Sequence, residues 1–175
     1  MNSSTEKNES CETCEFTQNL GILRQLYFFS KLPLETVKVF AYLCNKEIFK
    51  AGDLLFEQGE DDGQAFYLLS GMSRLIRELP EGPSAVRDLE PDAFIGTLAL
   101  LGNARRLYSL QAVTDVTALV LTRDKISRAL AQFPELMPKV MQTVVERIYG
   151  WEEQFLLRYA DNDDACLKET GVSLI

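Results

Sequence analysis

The spacing of apolar residues divides the chain into three parts. Between Leu20 and Cys44, apolar residues recur at steps of three and four, which predicts short helices. Residues 46–122 instead contain short runs of β-branched and aromatic residues, separated by segments that carry Gly or Pro. The helical period then returns over residues 124–132 and again over residues 134–160. The pattern predicts a central β unit with helices on both sides.

The central unit contains candidate strands of similar length at regular spacing. Turn segments such as KAGD, EQGEDDGQ and PEGP separate them, with Gly or Pro where the chain must reverse. Such spacing is typical of a jelly roll, a double-stranded β-helix. We therefore predict a mainly β fold with flanking helices (α+β), in which a β-roll follows N-terminal helices and precedes a long C-terminal helix. The candidate strands are KEIFK, DLLF, AFYLL, SRLIREL, SAVRDL, SLQAV and VTALVL.

Length and composition favour one domain with short appendages. The chain has 175 residues, 46% of them hydrophobic, which supplies enough apolar surface for one core. Residues 1–17 are rich in Ser, Thr, Asn and Glu, so we predict a disordered tail there. Residues 18–160 form the predicted domain, and residues 161–175 form a polar C-terminal tail.

The second C-terminal helix carries a narrow apolar stripe. Its members follow steps of three and four, a spacing typical of a helix that pairs with another helix. This favours a homodimer formed through the C-terminal helix, with an unidentified protein as a further partner. The alternative is that the same stripe packs on the chain's own β-roll. The stripe consists of Met137, Val140, Val144, Ile148, Trp151 and Phe155.

Charge and composition exclude several function classes. The chain has 18 basic and 26 acidic residues, and its net charge of -8 disfavours direct binding to nucleic acid. It has no His, which rules out His-based catalytic triads, His-ligated haem and the common His-containing zinc sites. The first residues lack an apolar signal region, and no apolar run is long enough to cross a membrane. We therefore expect a cytoplasmic protein that does not bind membranes.

The four cysteines offer a further hypothesis. Cys11 and Cys14 have the C-x-x-C spacing of some metal sites, but they lie in the predicted tail. A metal or redox sensor would also need Cys44 and Cys166 to approach them. We interpret the tail cysteines as solvent-exposed thiols and Cys44 as a core residue, and predict no metal site.

Two segments carry a resemblance to a known family. The segment KAGDLLFEQGEDDGQAFYLLSGMSRLI looks like the family's first hairpin, and IGTLALLGNARRLYSLQAVTDVTALVLTRD is similar to its phosphate-binding cassette and following strands. From Leu20 to Phe155, the chain resembles the cyclic-nucleotide-binding domains of the catabolite activator protein and the protein kinase A regulatory subunit. The resemblance implies a divergent member without a DNA-binding domain. It also implies a regulatory domain that is not an enzyme, binds cyclic AMP, cyclic GMP or a similar small anion, and signals through its C-terminal helix.

The resemblance assigns candidate ligand residues to the cassette, which we define as residues 96–109. An ungapped match places Arg106 at the family's phosphate arginine. A helix start after Gly96 would present free backbone N–H groups, and the Arg106 guanidinium would pair with phosphate oxygens. The resulting ligand-binding set is Gly96, Thr97, Leu98, Arg106, Leu107 and Ser109.

Departures from the family pattern support a second hypothesis. Thr97 stands where the family has a Glu that accepts a hydrogen bond from the ribose 2′-hydroxyl, and losing such a bond costs about 1.5–3 kcal/mol. Leu107 and Tyr108 are bulkier than the residues that usually follow the arginine, and Tyr108 could fill the pocket. These changes favour a degenerate fold that serves as a dimerisation or protein-interaction scaffold. The acidic pair at residues 61–62 is interpreted as a solvated hairpin tip.

Overall fold

The fold is a two-sheet β-roll between helical segments, as the apolar pattern predicts. The computed structural model describes the backbone of residues 3–159 and the side chains of residues 14–157. One sheet has the strand order β1-β8-β3-β6 and the other has β2-β7-β4-β5, and the pairings are antiparallel. The strands are β1 (Asn45–Phe49), β2 (Leu54–Phe56), β3 (Gln64–Ser70), β4 (Ser73–Leu79), β5 (Gly82–Leu89), β6 (Phe94–Ile95), β7 (Ser109–Ala112) and β8 (Val116–Thr122).

The helices lie where the period of three and four predicts them, with one difference at the N-terminus. They are α1 (Ser3–Gln25), α2 (Leu34–Leu43), α3 (Arg123–Gln132) and α4 (Met137–Tyr159). Short 3₁₀ turns lie at Tyr27–Phe29, Thr97–Leu100 and Pro134–Leu136. Residues 1–17 were predicted to be a disordered tail, whereas α1 already begins at Ser3. Phe16 and Leu20 of α1 pack against the core, which gives this helix an apolar anchor that composition alone does not reveal.

Central strand β3 is buried on both faces, which explains its nearly continuous apolar run. Phe66 and Leu68 point between the two sheets, whereas Ala65 and Tyr67 point towards the helices. Alternate side chains of a strand point to opposite faces, so β3 contributes to two apolar clusters. One cluster fills the roll and the other joins the roll to the helices. Leu100 of the cassette belongs to the cluster that joins the roll to the helices, and Tyr108 packs against the cluster that fills the roll.

The apolar stripe of α4 is divided between the core and the surface. Val140 and Val144 are buried against the domain itself, as the alternative interpretation predicts. Ile148 and Trp151, farther along the stripe, are exposed. Val140 and Val144 thus anchor α4 to the domain's own core, whereas Ile148 and Trp151 are available for other contacts.

The described cysteines do not form a metal site. Cys14 is exposed on α1, and the Cys44 thiol donates a hydrogen bond to the Phe40 carbonyl oxygen at 3.3 Å. Burial raises the pKa of Cys44 to about 12. Cys11 and Cys166 lie outside the side chains that the structure describes. Among those side chains, no group of three Cys, Asp or Glu residues is arranged to hold a metal ion.

Helix length and polarity give no sign of a membrane span. Across residues 3–159, none of the helices combines the length and apolar character needed to traverse a bilayer.

Candidate functional site

The cassette begins at a glycine that no other residue could replace without strain. Gly96 links β6 to the 3₁₀ turn and has a φ of 88°, in the left-handed region that favours glycine. A β-carbon at this position would lie 2.6 Å from Nη1 of Arg106 and 2.6 Å from the carbonyl oxygen of Gln64. The missing side chain therefore lets the cassette backbone lie directly against the arginine.

Arg106 is buried beneath the cassette rather than extended into solvent. Its side chain is only 6% exposed, and its guanidinium carbon lies 3.9 Å from the centre of the Phe56 ring. Nη2 donates hydrogen bonds to Oδ2 of Asp62 at 2.8 Å and to the Gln64 carbonyl oxygen at 2.6 Å. The ring face and the two acceptors hold the guanidinium in one orientation.

The buried guanidinium retains one donor without a partner. Nε of Arg106 is fully buried and has no hydrogen-bond acceptor among the described residues. Leaving a buried donor unpaired costs about 1–3 kcal/mol, so such groups call for a physical explanation. The Phe56 ring, whose centre lies 3.9 Å from the guanidinium carbon, offsets part of this cost through a cation–π contact.

Only Asp61 of the acidic pair at residues 61–62 is solvent-exposed, whereas Asp62 is largely covered, contrary to the interpretation from the sequence. Asp62 is 16% exposed and pairs with Arg106, while Asp61 pairs with Arg123 at the start of α3. The hydrogen bond from Arg123 lowers the pKa of Asp61 below its usual value. Arg123 also donates from Nε to the Ala99 carbonyl oxygen at 2.7 Å. The pair therefore joins the cassette and its arginine to the helical segment.

A cavity of about 500 Å³ lies over the cassette. Its volume falls within the range of about 300–1,000 Å³ that is typical of small-molecule sites. Tyr108 forms part of the wall and does not fill the space. The sequence-predicted residues that line this cavity are Gly96, Thr97, Leu98, Arg106 and Leu107.

Ser109 is the predicted site residue that does not line the cavity. It is buried in β7, where its hydroxyl oxygen accepts a hydrogen bond from the backbone N–H of Gln58 at 2.9 Å. Ser109 thus connects the loop between β2 and β3 to strand β7. Leu98 and Leu107 do line the cavity, but they are 57% and 74% exposed, which places them near its opening.

Residues outside the cassette complete the cavity. Tyr27 lines it from the 3₁₀ turn between α1 and α2, and its hydroxyl donates a hydrogen bond to Oγ1 of Thr97 at 3.3 Å. The guanidinium carbon of Arg147 on α4 lies 4.9 Å from the centre of the Tyr27 ring. Val144 and Trp151 add apolar surface from α4. The cavity is therefore enclosed by both the cassette and the C-terminal helix.

The role of these additional wall residues was not evident from the sequence. Trp151 appeared only as a member of the apolar stripe, and nothing in the sequence indicated that Arg147 would face the cassette. The one available signal was the helical spacing of Val144 and Trp151 in the apolar stripe. This spacing places both residues on one face of α4 but does not show what that face contacts.

Comparison with known proteins agrees with this fold and cassette. The family model for the cyclic nucleotide-binding domain matches residues 46–133. A cAMP-dependent protein kinase regulatory subunit from Aspergillus fumigatus is 38% identical over 119 residues, covering 67% of this chain and 28% of the relative. The chain belongs to the cyclic nucleotide-binding domain family.

Two further comparisons extend the likeness to bacterial regulators. A CRP-like cAMP-activated global transcriptional regulator from Mycobacterium tuberculosis is 24% identical over 101 residues, covering 57% of this chain and 45% of the relative. The N-terminal domain of a transcriptional regulator from Streptomyces coelicolor shares the fold with a TM-score of 0.66 at 24% identity, covering 74% of this chain and 93% of that one. The chain thus spans less than half the length of the curated relatives described here.

Proposed function

We propose that this chain is a non-catalytic, ligand-sensing regulatory domain that binds a small anionic effector over its cassette. The observation that carries the proposal is a cavity lined jointly by Arg106 and the C-terminal helix. A phosphate is the anion that a guanidinium binds with the best geometry. Residues Gly96, Thr97, Leu98 and Leu107 supply the remaining cassette contacts.

The effector class follows from the family and from the charges around the cavity. Arg105, Arg106 and Arg147 line the cavity, and its lining includes no Asp or Glu. Relatives are named for cAMP dependence or activation, which supports cyclic AMP, or its relative cyclic GMP, as the effector. Thr97 lacks the carboxylate that the family resemblance implies for the ribose hydroxyl, so we expect weaker binding than in members that carry it.

The signal would pass through α4, because this helix contacts both the ligand cavity and the core. Val144 is buried yet also lines the cavity, and Trp151 lines the cavity while remaining 66% exposed. A ligand that contacts one position of α4 more strongly than others shifts the population towards that position. Occupancy would therefore change the position of the later part of α4.

Titration calorimetry with cyclic AMP and cyclic GMP tests the binding step. Trp151 is the chain's only Trp and lines the cavity, so its fluorescence reports the same event at α4. We expect a bound ligand to cover the exposed indole and shift its emission to shorter wavelength. Ligand at a hundred times its Kd should add about 2.7 kcal/mol of stability, which corresponds to about 5–10 °C in Tm for a domain of this size.

Two arginine variants provide the specificity control. Arg106→Gln removes about two charge-assisted hydrogen bonds to the ligand, roughly 3 kcal/mol or a hundredfold in Kd. Arg74→Gln removes the same charge from an ion pair that is 43% exposed and does not line the cavity, so affinity should not change. Absence of binding for both nucleotides, with no shift in Tm or Trp151 emission, would remove the cyclic-nucleotide proposal.

The exposed face of α4 favours dimerisation as a second role, which would remain if the cavity binds no nucleotide. Met141, Val145 and Tyr149 are four residues apart and are 47%, 55% and 59% exposed. A stripe with this spacing suits pairing with the same helix of a second copy. Sedimentation velocity tests this role: we expect a dimer, and Val145→Glu should yield folded monomers whose Tm is lower only by the lost dimer contact. A monomeric wild-type protein at tens of micromolar would refute it.

The cellular setting is part of the same proposal. A net charge of -8 disfavours contact with a nucleic-acid backbone, so the output would be directed to a protein partner. We propose a cytoplasmic regulatory role, in keeping with the regulatory relatives.

A further inference from the structure

A second recess adjoins the cavity on the other side of two α4 residues. Arg147 and Trp151 line both spaces, so they form the partition between them. The second recess has a volume of about 590 Å³ and reaches from α4 to Arg87 on β5. Each space by itself falls within the range of about 300–1,000 Å³ that is typical of small-molecule sites.

The second recess contains two arginines that have no acidic partner among the described side chains. Among the side chains that the structure describes, no carboxylate forms an ion pair with Arg87 or Arg147. Glu146 also lines this recess, but its carboxylate pairs with Lys31. In a chain with a net charge of -8, two arginines without acidic partners in one recess form a local site for an anion.

The polarity of the adjoining corner of the first cavity also favours an anion. The hydroxyl of Thr97 already accepts the hydrogen bond from Tyr27, and the Arg147 guanidinium lies over the Tyr27 ring. This corner therefore has no carboxylate to accept a hydrogen bond from a ligand hydroxyl, whereas Arg147 has donors to offer. This corner therefore favours a ligand group that accepts hydrogen bonds, such as a phosphate.

We propose that the two recesses form one elongated site for a ligand with two separate phosphate groups. One phosphate would lie at Arg106, and the second would lie between Arg147 and Arg87. The stacked rings of Trp151 and Phe155, whose centres are 5.6 Å apart, offer an aromatic surface beside the connecting part of the ligand. This inference rests on the proposed function, because it requires the first phosphate to bind at Arg106.

Two dinucleotides that differ by one phosphate test the inference. The probes are the linear dinucleotide ApA, which has one phosphodiester, and pApA, which adds a 5′-phosphate. Both dinucleotides are flexible, so the added phosphate is free to reach Arg87 and Arg147. In titration calorimetry we expect pApA to bind at least tenfold more tightly than ApA.

Three arginine variants locate the added affinity. Arg87→Gln should reduce the preference for pApA to threefold or less while changing the affinity for ApA by less than threefold, because Arg87 lines only the second recess. Arg147→Gln should also reduce the preference to threefold or less, and it should weaken ApA binding as well, because Arg147 also lines the first cavity. Both residues are exposed, so the fold should tolerate the changes. Arg128→Gln is the matched control, since Arg128 is exposed on α3, lines neither recess and carries the same charge.

The possible outcomes separate this inference from the function on which it rests. Equal affinity for ApA and pApA overturns the two-phosphate site, whether or not cyclic AMP binds. A preference for pApA that survives both Arg147→Gln and Arg87→Gln also overturns it. If neither dinucleotide nor a cyclic nucleotide binds, the proposed function itself fails, and the inference fails with it.

Discussion

Replacing Gly96 with alanine adds one methyl group where the cassette backbone meets the buried arginine. The new β-carbon would lie 2.6 Å from the Gln64 carbonyl oxygen and 2.6 Å from Nη1 of Arg106, whereas ordinary contacts begin at about 3.4 Å. Gln64 belongs to central strand β3, which cannot shift without disturbing both apolar clusters. Relief therefore requires the cassette or the arginine to move.

The expected loss of stability has two parts. An alanine held in the left-handed region costs about 1–2 kcal/mol. Forcing an extra methyl group into a packed site costs about 1–3 kcal/mol more. We therefore expect Gly96→Ala to lower the free energy of unfolding by about 2–5 kcal/mol and to weaken ligand binding by displacing Arg106.

Gly59 supplies a matched control for the strain alone. Gly59 has the same φ of 88°, but a β-carbon there would meet no atom within 4 Å. Gly59→Ala should cost only about 1–2 kcal/mol, and the effect of alanine on the unfolded chain is shared by both variants. Urea unfolding of the wild type and both variants measures the difference.

The comparison has a clear point of failure. If Gly96→Ala and Gly59→Ala lower the free energy of unfolding equally, the close contact between the cassette and Arg106 does not constrain the fold. If Gly96→Ala retains wild-type ligand affinity, the added methyl group does not displace Arg106.

Three other features of the structure give further predictions. Asp62→Asn leaves the Arg106 charge buried and should cost about 3–5 kcal/mol, whereas Asp88→Asn breaks an exposed pair and should cost under about 1 kcal/mol in urea unfolding. The hydrogen bond from Arg123 lowers the pKa of Asp61 in the folded protein. The ionised Asp61 therefore contributes fully to the free energy of unfolding above its unfolded pKa of about 3.9, and this contribution is lost as pH falls through the folded pKa. In Asp61→Asn, the free energy of unfolding should therefore fall less steeply with decreasing pH than in the wild type. A wild-type dependence on pH would contradict this. With the other three cysteines replaced by Ser, Cys44 should react at least about tenfold more slowly with a disulfide reagent at pH 8 than a thiol of pKa 9, because burial raises its pKa to about 12 and leaves little thiolate.

The sequence was sufficient to predict the order and kind of the main elements. Alternation and turn residues marked seven of the strands, and the missing one, β6, spans only Phe94–Ile95. Two residues are too few to show a period, so no local pattern could have indicated it. The N-terminal helix was missed because its first residues are polar and its anchors, Phe16 and Leu20, act through the tertiary core.

The cassette was predicted from the sequence because its residues are close together in the chain. Gly96 through Leu107 form one local segment, and a short motif can indicate such a site. The resemblance also placed Ser109 in the site, but the structure directs its hydroxyl towards Gln58 instead. A motif match assigns residues to positions but does not show which way each side chain points.

The environment of the site was decided by tertiary structure. Asp62 reaches Arg106 across 44 positions of the chain, and Tyr27 reaches Thr97 across 70. Arg87 and Arg147 come from a strand and a helix that no local pattern connects. The periodicity of apolar residues shows which face of a helix or strand is apolar, because that pattern involves only residues close together in the sequence. Contacts between distant residues depend on how whole elements pack, and only the folded chain brings these charges together.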